Sequence, residues 1–351
     1  MNINTVLIII ILVALMGALF WYLRKTDLSD EDTEYDDFLT IDKLSEVTIL
    51  TFSTHMNKNV DEMNLTQEEY NKINAGKEEL KSALRTAPYG DKNSKYYVTS
   101  FMQDIFQNKS LGKINNYNIT KVIPFDRPEE MTSRDRFEIL VFRWLQEGKR
   151  GFSKYFTLYG LDKPRMTEYG YEYLVTEEDI IRVYEDYTAE HGEMPYIDQI
   201  RFLVQRAYED TYGLGAVDLL LETDVDEVQG GTSGIPANSY DVELQDMENV
   251  SYSFESIWIV FKGLNIHLQC TSFGTQAELV RVTRNIYRYD SPAILSERDA
   301  GIIGSMQNGN RITVFQPRFA DSFGFLARKF DSAPSLAPEL LLAPEARTEG
   351  E

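Results

Sequence analysis

Three arginines recur at helical spacing between residues 281 and 288. Arg281, Arg284 and Arg288 stand at positions i, i+3 and i+7, so a helix would carry all three guanidinium groups on one face. Guanidinium forks match the oxygen atoms of phosphate and carboxylate groups. In a chain with a net charge of −21, this pattern predicts either a surface for an anion or a partner subunit, or a solvated face whose arginines pair with acids.

Further arginines follow this helix. Arg298, Arg311 and Arg328 lie near the ends of the next predicted elements and would extend the basic patch. Arginine supplies neither a nucleophile nor a base for hydrolysis. These residues therefore predict binding, and we expect no catalytic residue among them.

The motif that holds ATP in P-loop enzymes is missing from the sequence. GxxxxGK[ST] places backbone N–H groups around the β-phosphate, a lysine on the β- and γ-phosphate oxygens and a hydroxyl on magnesium. Gly-Lys occurs at Gly76, Gly112 and Gly148, but each lacks the first glycine and the following Ser or Thr. HExxH, GxSxG and CxxC are also absent. We expect no independent ATP hydrolysis by this chain.

Composition excludes several other classes of protein. The 351 residues include 35 Lys and Arg against 56 Asp and Glu, so the chain as a whole repels nucleic acid. One cysteine, Cys270, cannot form an intramolecular disulfide, and with only His55, His191 and His267 it cannot build the usual clustered zinc site. We expect no metal, a reducing compartment and about two domains.

The N-terminus predicts a membrane anchor. Residues 6–23 carry no charge and as a helix would span about 27 Å, close to a bilayer core of about 30 Å. Trp21 and Tyr22, followed by Arg24 and Lys25, resemble an aromatic belt and a cytoplasmic anchor. A cleaved signal peptide is disfavoured because no basic residue precedes the apolar run, and a buried globular helix is the other alternative. The pattern predicts a single-pass protein of the cytoplasmic membrane, with the rest of the chain in the cytoplasm.

An acidic segment follows the anchor, which comprises residues 1–25. Residues 26–37 contain seven acids and no base, and they predict a solvated spacer that extends over residues 26–60. The run lacks the glycine and terminal glutamate of an EF-hand loop, so a calcium site is disfavoured.

Helix signals dominate residues 61–213. Thr66 with Glu69, and Thr176 with Asp179, fit capping boxes that begin helices. Apolar residues at helical spacing predict a core-facing stripe between them. Its members are Phe137, Leu140, Val141, Trp144 and Leu145. We expect a helical domain of five or six segments.

Strand signals take over after Gly213. The apolar run 257–261, a Lys-Gly turn and the alternating residues 266–270 predict a hairpin. Asn-Gly at 308–309 predicts a second hairpin, with positive φ at both central residues of its turn. Residues 323–330 predict a last strand.

One helix is predicted among these strands, beginning at Thr275 with Glu278 as its capping partner. Residues 214–331 are therefore expected to form an α+β domain with one sheet. The Pro-, Ala- and Glu-rich segment 332–351 is predicted to be a disordered tail. The complete predicted fold class is α+β: an N-terminal transmembrane helix, a helical domain and then a PAS-like α+β domain.

The PAS-like assignment comes from a family resemblance. Residues 212–331 resemble the N-terminal domain of secretion and pilus-assembly ATPases, in the tight-adherence and type II/type IV secretion branches. Gly309 and Arg311 match the family's Gly-Ser-Arg hairpin, and residues 328–330 match its closing strand. The resembling strings are YGLGAVDLLLETDVDEVQGG, SIWIVFKG, FGTQAELVRVTRNIYRYDSP and GSMQNGNRITVFQP with FGFLARKF.

The resemblance implies roles for the arginines. In the family, this domain closes over nucleotide that a following RecA-like motor domain holds, within a ring of six subunits. It implies that Arg311 and Arg328 contact nucleotide or the next subunit, and that Arg281, Arg284 and Arg288 form a basic patch beside them. ATP and magnesium are expected only with a motor domain, which this chain lacks.

Two functions follow as expectations. The first is the membrane-anchored, regulatory and oligomerising N-terminal portion of a pilus-assembly or secretion ATPase, produced by truncation, a frameshift or a split gene. The second is a non-catalytic, membrane-tethered interaction or scaffold protein of the secretion machinery. Expected partners are inner-membrane pilus or secretion proteins and ring-forming ATPase subunits.

Overall fold

Helices fill the first part of the chain, and strands dominate the last part. The computed structural model describes residues 39–58, 66–107, 114–167, 170–234, 251–288 and 294–329. Within these residues the helices are α1 (Ile41–Asn57), α2 (Gln67–Thr86), α3 (Lys92–Gln107), α4 (Ile119–Val122), α5 (Ser133–Gln146), α6 (Gly151–Leu158), α7 (Glu177–His191), α8 (Tyr196–Thr211) and α9 (Gln276–Ile286). The strands are β1 (Arg165–Thr167), β2 (Gly170–Glu172), β3 (Leu174–Val175), β4 (Glu227–Gly230), β5 (Ile257–Phe261), β6 (Leu264–Leu268), β7 (Gly301–Ser305), β8 (Arg311–Phe315) and β9 (Gly324–Arg328).

The predicted helix starts are confirmed. Thr66 and Glu69 form a reciprocal capping box at α2, and Thr176 and Asp179 form another at α7. Thr275 caps α9 by accepting a hydrogen bond from the Glu278 backbone N–H. Each cap satisfies backbone donors that have no partner within the first helical turn.

The predicted apolar stripe lies on α5 and faces the core. Phe137, Leu140, Val141 and Trp144 are buried, and Leu145 is partly buried against them. Residues 41–57, which the sequence analysis included in the acidic spacer, form α1 and pack Leu44 and Phe52 into the same core.

Seven strands form one mixed sheet in the order β3-β6-β5-β4-β9-β8-β7. All neighbours are antiparallel except β3 and β6, so a strand from the helical part of the chain extends the sheet. Helix α9 packs on the face that carries the buried Val314 and Phe325, whereas the other face is open. A separate hairpin pairs β1 with β2.

The two hairpin turns differ from the prediction in their backbone geometry. Positive φ at both central residues occurs at Lys262 (51°) and Gly263 (77°), between β5 and β6. In the β7–β8 turn Gly309 has a φ of 85°, and Asn308 does not have a positive φ. The N–H of Gly309 donates to the carbonyl of Met306 at 2.9 Å. In this longer loop residues 306–309 form an ordinary β-turn, and only Gly309 needs the left-handed backbone conformation.

The membrane part of the predicted architecture requires correction. In the portion of the chain that the structure describes, no helix combines the length and the apolar composition needed to cross a bilayer. The longest, α2, has 20 residues, and its charged side chains, Glu68, Lys72 and Lys81 among them, could not remain in hydrocarbon. The predicted span at 6–23 lies outside the described residues, as do the acidic run 26–37 and the tail 332–351. We accordingly correct the fold class to an α+β arrangement of helices and a mixed sheet. The predictions of a transmembrane helix and of a single-pass localisation are withdrawn.

Candidate functional site

Arg311 and Arg328 are direct cross-strand neighbours. They lie opposite each other in the register of β8 and β9, and both are exposed. Successive residues of a strand point to opposite faces, and the adjacent Ile312 and Ala327 are buried in the core. The alternation therefore places both guanidinium side chains on the open face of the sheet.

A carboxylate borders this arginine pair. Glu227 on β4 lies opposite Arg328 from the other side, which gives a row of two arginines and one glutamate across three strands. The Gln229 side chain donates to Glu227 Oε1 at 2.8 Å. Like charges directly opposite each other on neighbouring strands repel, and Glu227 places a negative charge beside Arg328. Two adjacent guanidinium groups can together receive an anionic group of a ligand or a protein surface.

Arg281 is committed to contacts within the protein. Its guanidinium donates to the backbone carbonyls of Gly213 at 2.9 Å and Glu209 at 2.8 Å, and to the Glu278 carboxylate at 2.6 Å and 2.7 Å. The Arg281 side chain is only 26% exposed. It joins α9 to the end of α8. The Arg281 guanidinium is therefore used for contacts within the protein, whereas the sequence predicted that it binds a ligand.

Arg284 lies on the outer face of α9, and Arg288 lies in the turn just after the helix ends. The Arg284 guanidinium stands over the Phe323 ring, 5.6 Å from its centroid, and both arginines are exposed. Together with Arg281, Gln276 and Asn285 they line a shallow, open groove along the helix. This surface offers positive charge to a partner that lies along α9.

The five candidate arginines do not form one patch. The buried Leu279 and Val282 of α9 face the covered side of the sheet, so Arg284 and Arg288 point away from the sheet. Arg311 and Arg328 lie on the opposite, open face. The structure therefore brings together two pairs, separated by the sheet and the helix layer.

The tip of the β7–β8 hairpin contacts the helical part of the chain. The Gln307 backbone N–H donates to the Tyr89 carbonyl at 2.9 Å, and Asn308 lies against Gly90. Arg311 begins the strand that leaves this tip. The position of the arginine pair is thereby tied to the turn between α2 and α3.

Sequence reasoning missed a buried ionic cluster between α5 and α8. Glu138 contacts Arg134 Nε and Arg206 Nη2, each at 2.6 Å. Arg206 also contacts Asp135 at 2.9 Å, and both Arg206 and Glu138 are buried. The spacing of Arg134 and Glu138, four residues apart, was a visible signal, but their partners on α8 are distant in sequence.

Glu209 is the least compensated member of this cluster. Its side chain is 1% exposed, and its closest guanidinium atoms, on Arg134 and Arg206, are each 3.9 Å away. Gln205 donates to Glu209 Oε1 at 2.8 Å, whereas Oε2 accepts no hydrogen bond. Burial, with Glu138 and Asp218 nearby, raises the pKa of Glu209 well above its ordinary value.

Cys270 and His267 occupy packing positions. Cys270 is buried, and burial raises the pKa of its thiol. His267 stacks on Trp258 with ring centroids 4.3 Å apart, and burial lowers its pKa. Across the described part of the chain, no three His, Cys, Asp or Glu side chains form a group that could hold a metal ion.

No protein-family model and no curated protein matches this sequence.

Proposed function

We propose that this chain is a non-catalytic binding component of a pilus-assembly or type II/type IV secretion ATPase, corresponding to its regulatory and oligomerising N-terminal portion. Arg311 and Arg328 would contact the motor subunit or the nucleotide that it holds. The observation that carries the proposal is that the two arginines are cross-strand neighbours exposed on the open face of the sheet. ATP and magnesium belong to the motor subunit in this proposal.

The order of elements supports it. After the Gly-x-Gly at residues 213–215 the chain forms short 3₁₀ turns, strand β4 and the β5–β6 hairpin. Helix α9, the β7–β8 hairpin and the closing strand β9 follow. This is the order that the resemblance implies for residues 212–331, so the two matched arginines lie on elements of the expected kind.

The chemistry of the pair supports it as well. Two guanidinium groups on neighbouring strands can together bind the oxygen atoms of one anionic group. Each charge-assisted hydrogen bond contributes about 1.5–3 kcal/mol, so losing even one such contact would weaken binding by at least about tenfold.

The test is co-assembly of the full chain with a P-loop ATPase of the same cell, with and without a non-hydrolysable ATP analogue. We expect Arg311→Ala with Arg328→Ala to reduce affinity at least about tenfold while the melting curve stays unchanged. Arg201→Ala is the matched control, because Arg201 is an exposed arginine on α8, 57% exposed and 3.1 Å from Asp198. Unaltered affinity in the double variant would contradict the proposal.

The groove on α9 favours a second candidate, a scaffold protein that binds an acidic partner without nucleotide. Arg284 and Arg288 would carry that binding. Arg284→Ala with Arg288→Ala should then weaken co-assembly equally with and without the ATP analogue. An effect confined to Arg311 and Arg328, and dependent on nucleotide, would favour the first candidate.

A further inference from the structure

Arg284 and Arg288 carry positive charge that no acid in the described part of the chain pairs with. Among the residues that the structure describes, neither guanidinium forms a salt bridge or a hydrogen bond. Arg284 stands against the face of the Phe323 ring, which leaves its N–H donors available. The single acid of α9, Glu278, is held by Arg281. The alternative in which these arginines pair with acids on a solvated face therefore does not hold within the described residues.

The groove that these arginines line begins at the end of α8. Arg281 and Arg288, about two helical turns apart, line the same side of it. Because Arg281 is bonded to the carbonyl of Gly213, the groove continues from this joint toward Arg288. Phe52 of α1 reaches the same end of α8, where its ring centroid lies 5.5 Å from that of Tyr212. Helix α1 and the groove thus meet the same part of α8.

The start of α1 brings an acidic segment within reach of this groove. From Ile41 to Phe52, α1 rises about 17 Å at about 1.5 Å per residue. The acidic run (residues 26–37) comes just before the described chain begins at Leu39. Twelve extended residues cover about 40 Å, more than twice this rise. The acidic run is therefore long enough to pass along α1 and reach α9.

Charge complementarity selects this segment as the occupant. The acidic run contains seven acids and no base, and no stretch of similar length elsewhere in the sequence is as acidic. Because the chain has a net charge of −21, most of its surface repels such a run, whereas unpaired arginines attract it. A segment of the same chain is also present at an effective concentration on the order of millimolar, which an external acidic partner must exceed.

We propose that the acidic run binds along the α9 groove of its own chain, with its carboxylates on Arg284 and Arg288. Contacts between carboxylate oxygens and the guanidinium forks supply the recognition. The bound run covers the positive surface, so an acidic partner of this face must first displace it. This docking needs neither a motor subunit nor nucleotide, so its failure and the failure of the proposed function are separate results.

Disulfide trapping in the full chain tests the docking. Ser29 belongs to the acidic run, and Ala277 is exposed and lines the groove. The native thiol of Cys270 is buried and does not compete. We expect Ser29→Cys with Ala277→Cys to form an intramolecular disulfide under mild oxidation. Reversing both charges, in Arg284→Glu with Arg288→Glu, should slow its formation at least about fivefold. No disulfide, or an unchanged rate, would overturn the proposal.

Arg150→Glu with Arg298→Glu is the matched control for the charge reversal. Both arginines are exposed, and neither lines the groove. Each substitution changes the net charge by two units, so this pair alters the charge of the chain as much as the groove variant does. We expect the disulfide rate to stay within about twofold of its original value. A slowing equal to that of the groove variant would overturn the proposal, because net charge alone would then explain the effect.

A second measurement leaves every described residue unchanged. Four acids of the run are replaced by their amides, in Asp30→Asn, Glu31→Gln, Asp32→Asn and Glu34→Gln. The probe is a labelled peptide with the sequence TDLSDEDTEYDD, added to the full chain. We expect it to bind the neutralised chain at least about fivefold more tightly than the wild type, whose own run occupies the groove. Equal affinities would overturn the proposal, since the groove would then bind acidic peptides but not its own run.

Discussion

Replacing Glu209 by Gln is expected to stabilise the protein at neutral pH. The carboxylate is buried between α5 and α8. Among the residues that the structure describes, none donates a hydrogen bond to its Oε2, and none brings a cation closer than the two guanidinium atoms at 3.9 Å. Arg134 and Arg206 are held more closely by Glu138. A glutamine keeps the Oε1 acceptor for Gln205 and removes the charge.

The magnitude follows from proton linkage. The ordinary pKa of 4.5 applies to Glu209 in the unfolded chain, and burial raises the pKa in the folded state well above it. Between these two values the folded state binds more protons, so the free energy of unfolding falls by about 1.4 kcal/mol for each pH unit gained. The loss therefore grows with pH until the pH passes the folded-state pKa, and Glu209→Gln would recover it.

Glu138→Gln is the matched control in the same cluster. Glu138 contacts both arginines at 2.6 Å, so removing its charge leaves the buried Arg206 and the partly buried Arg134 without their closest partner. Breaking a buried pair in this way costs about 3–5 kcal/mol. The same chemical change, Glu to Gln, is thus expected to raise the free energy of unfolding at Glu209 on α8 and to lower it at Glu138 on α5.

Urea unfolding of both variants and the wild type at pH 5, 6 and 7 provides the assay. Among these three pH values the gain from Glu209→Gln should be largest at pH 7 and smallest at pH 5, because below pH 4.5 the wild-type side chain becomes protonated in both states. Subtracting the wild-type free energy of unfolding from that of each variant cancels the contribution from the titration of other groups. A destabilised Glu209→Gln at pH 7, or a difference that does not change with pH, would refute the reasoning.

Three further predictions concern the joints of the fold. Arg281→Ala should destabilise the protein by about 1–3 kcal/mol in urea unfolding, because it leaves the carbonyls of Glu209 and Gly213 without this donor. Gly309→Ala should cost about 1–2 kcal/mol by the same assay: φ is 85° and no atom lies within 4 Å of the new Cβ, so backbone strain alone acts. A fragment of residues 214–331 should lack a cooperative thermal transition, since it loses β3, while the full chain retains one.

Local signals in the sequence were sufficient for several elements. Thr66, Thr176 and Thr275 each precede an acid by three residues, and each caps a helix because the side chain and the backbone donor are close in sequence. The run 257–261 alternates between buried and half-buried residues, as a sheet with one open face requires. Such features need no knowledge of distant residues.

The candidate site depended on contacts that the sequence does not reveal. The arginine pair follows from the register of β8 and β9, which the intervening chain sets. Arg281 shares its helical spacing with Arg284 and Arg288, yet it alone reaches the backbone carbonyls at the end of α8. Helical spacing identifies a common face but does not show which member of that face meets another element.

Contacts around residue 213 and at the β7–β8 hairpin join the strand-rich part of the chain to the helices. Gly213 and its neighbours receive the Arg281 guanidinium, and the Leu214 N–H donates to Asp218, which also pairs with Lys95 of α3. On the other side, the β7–β8 hairpin is held by the bond from Gln307 to Tyr89. A partner that displaces this hairpin on binding Arg311 must break that bond or move the turn between α2 and α3. The point at which the sequence changes from helix to strand patterns is therefore also where hydrogen bonds and an ion pair join the two parts of the chain.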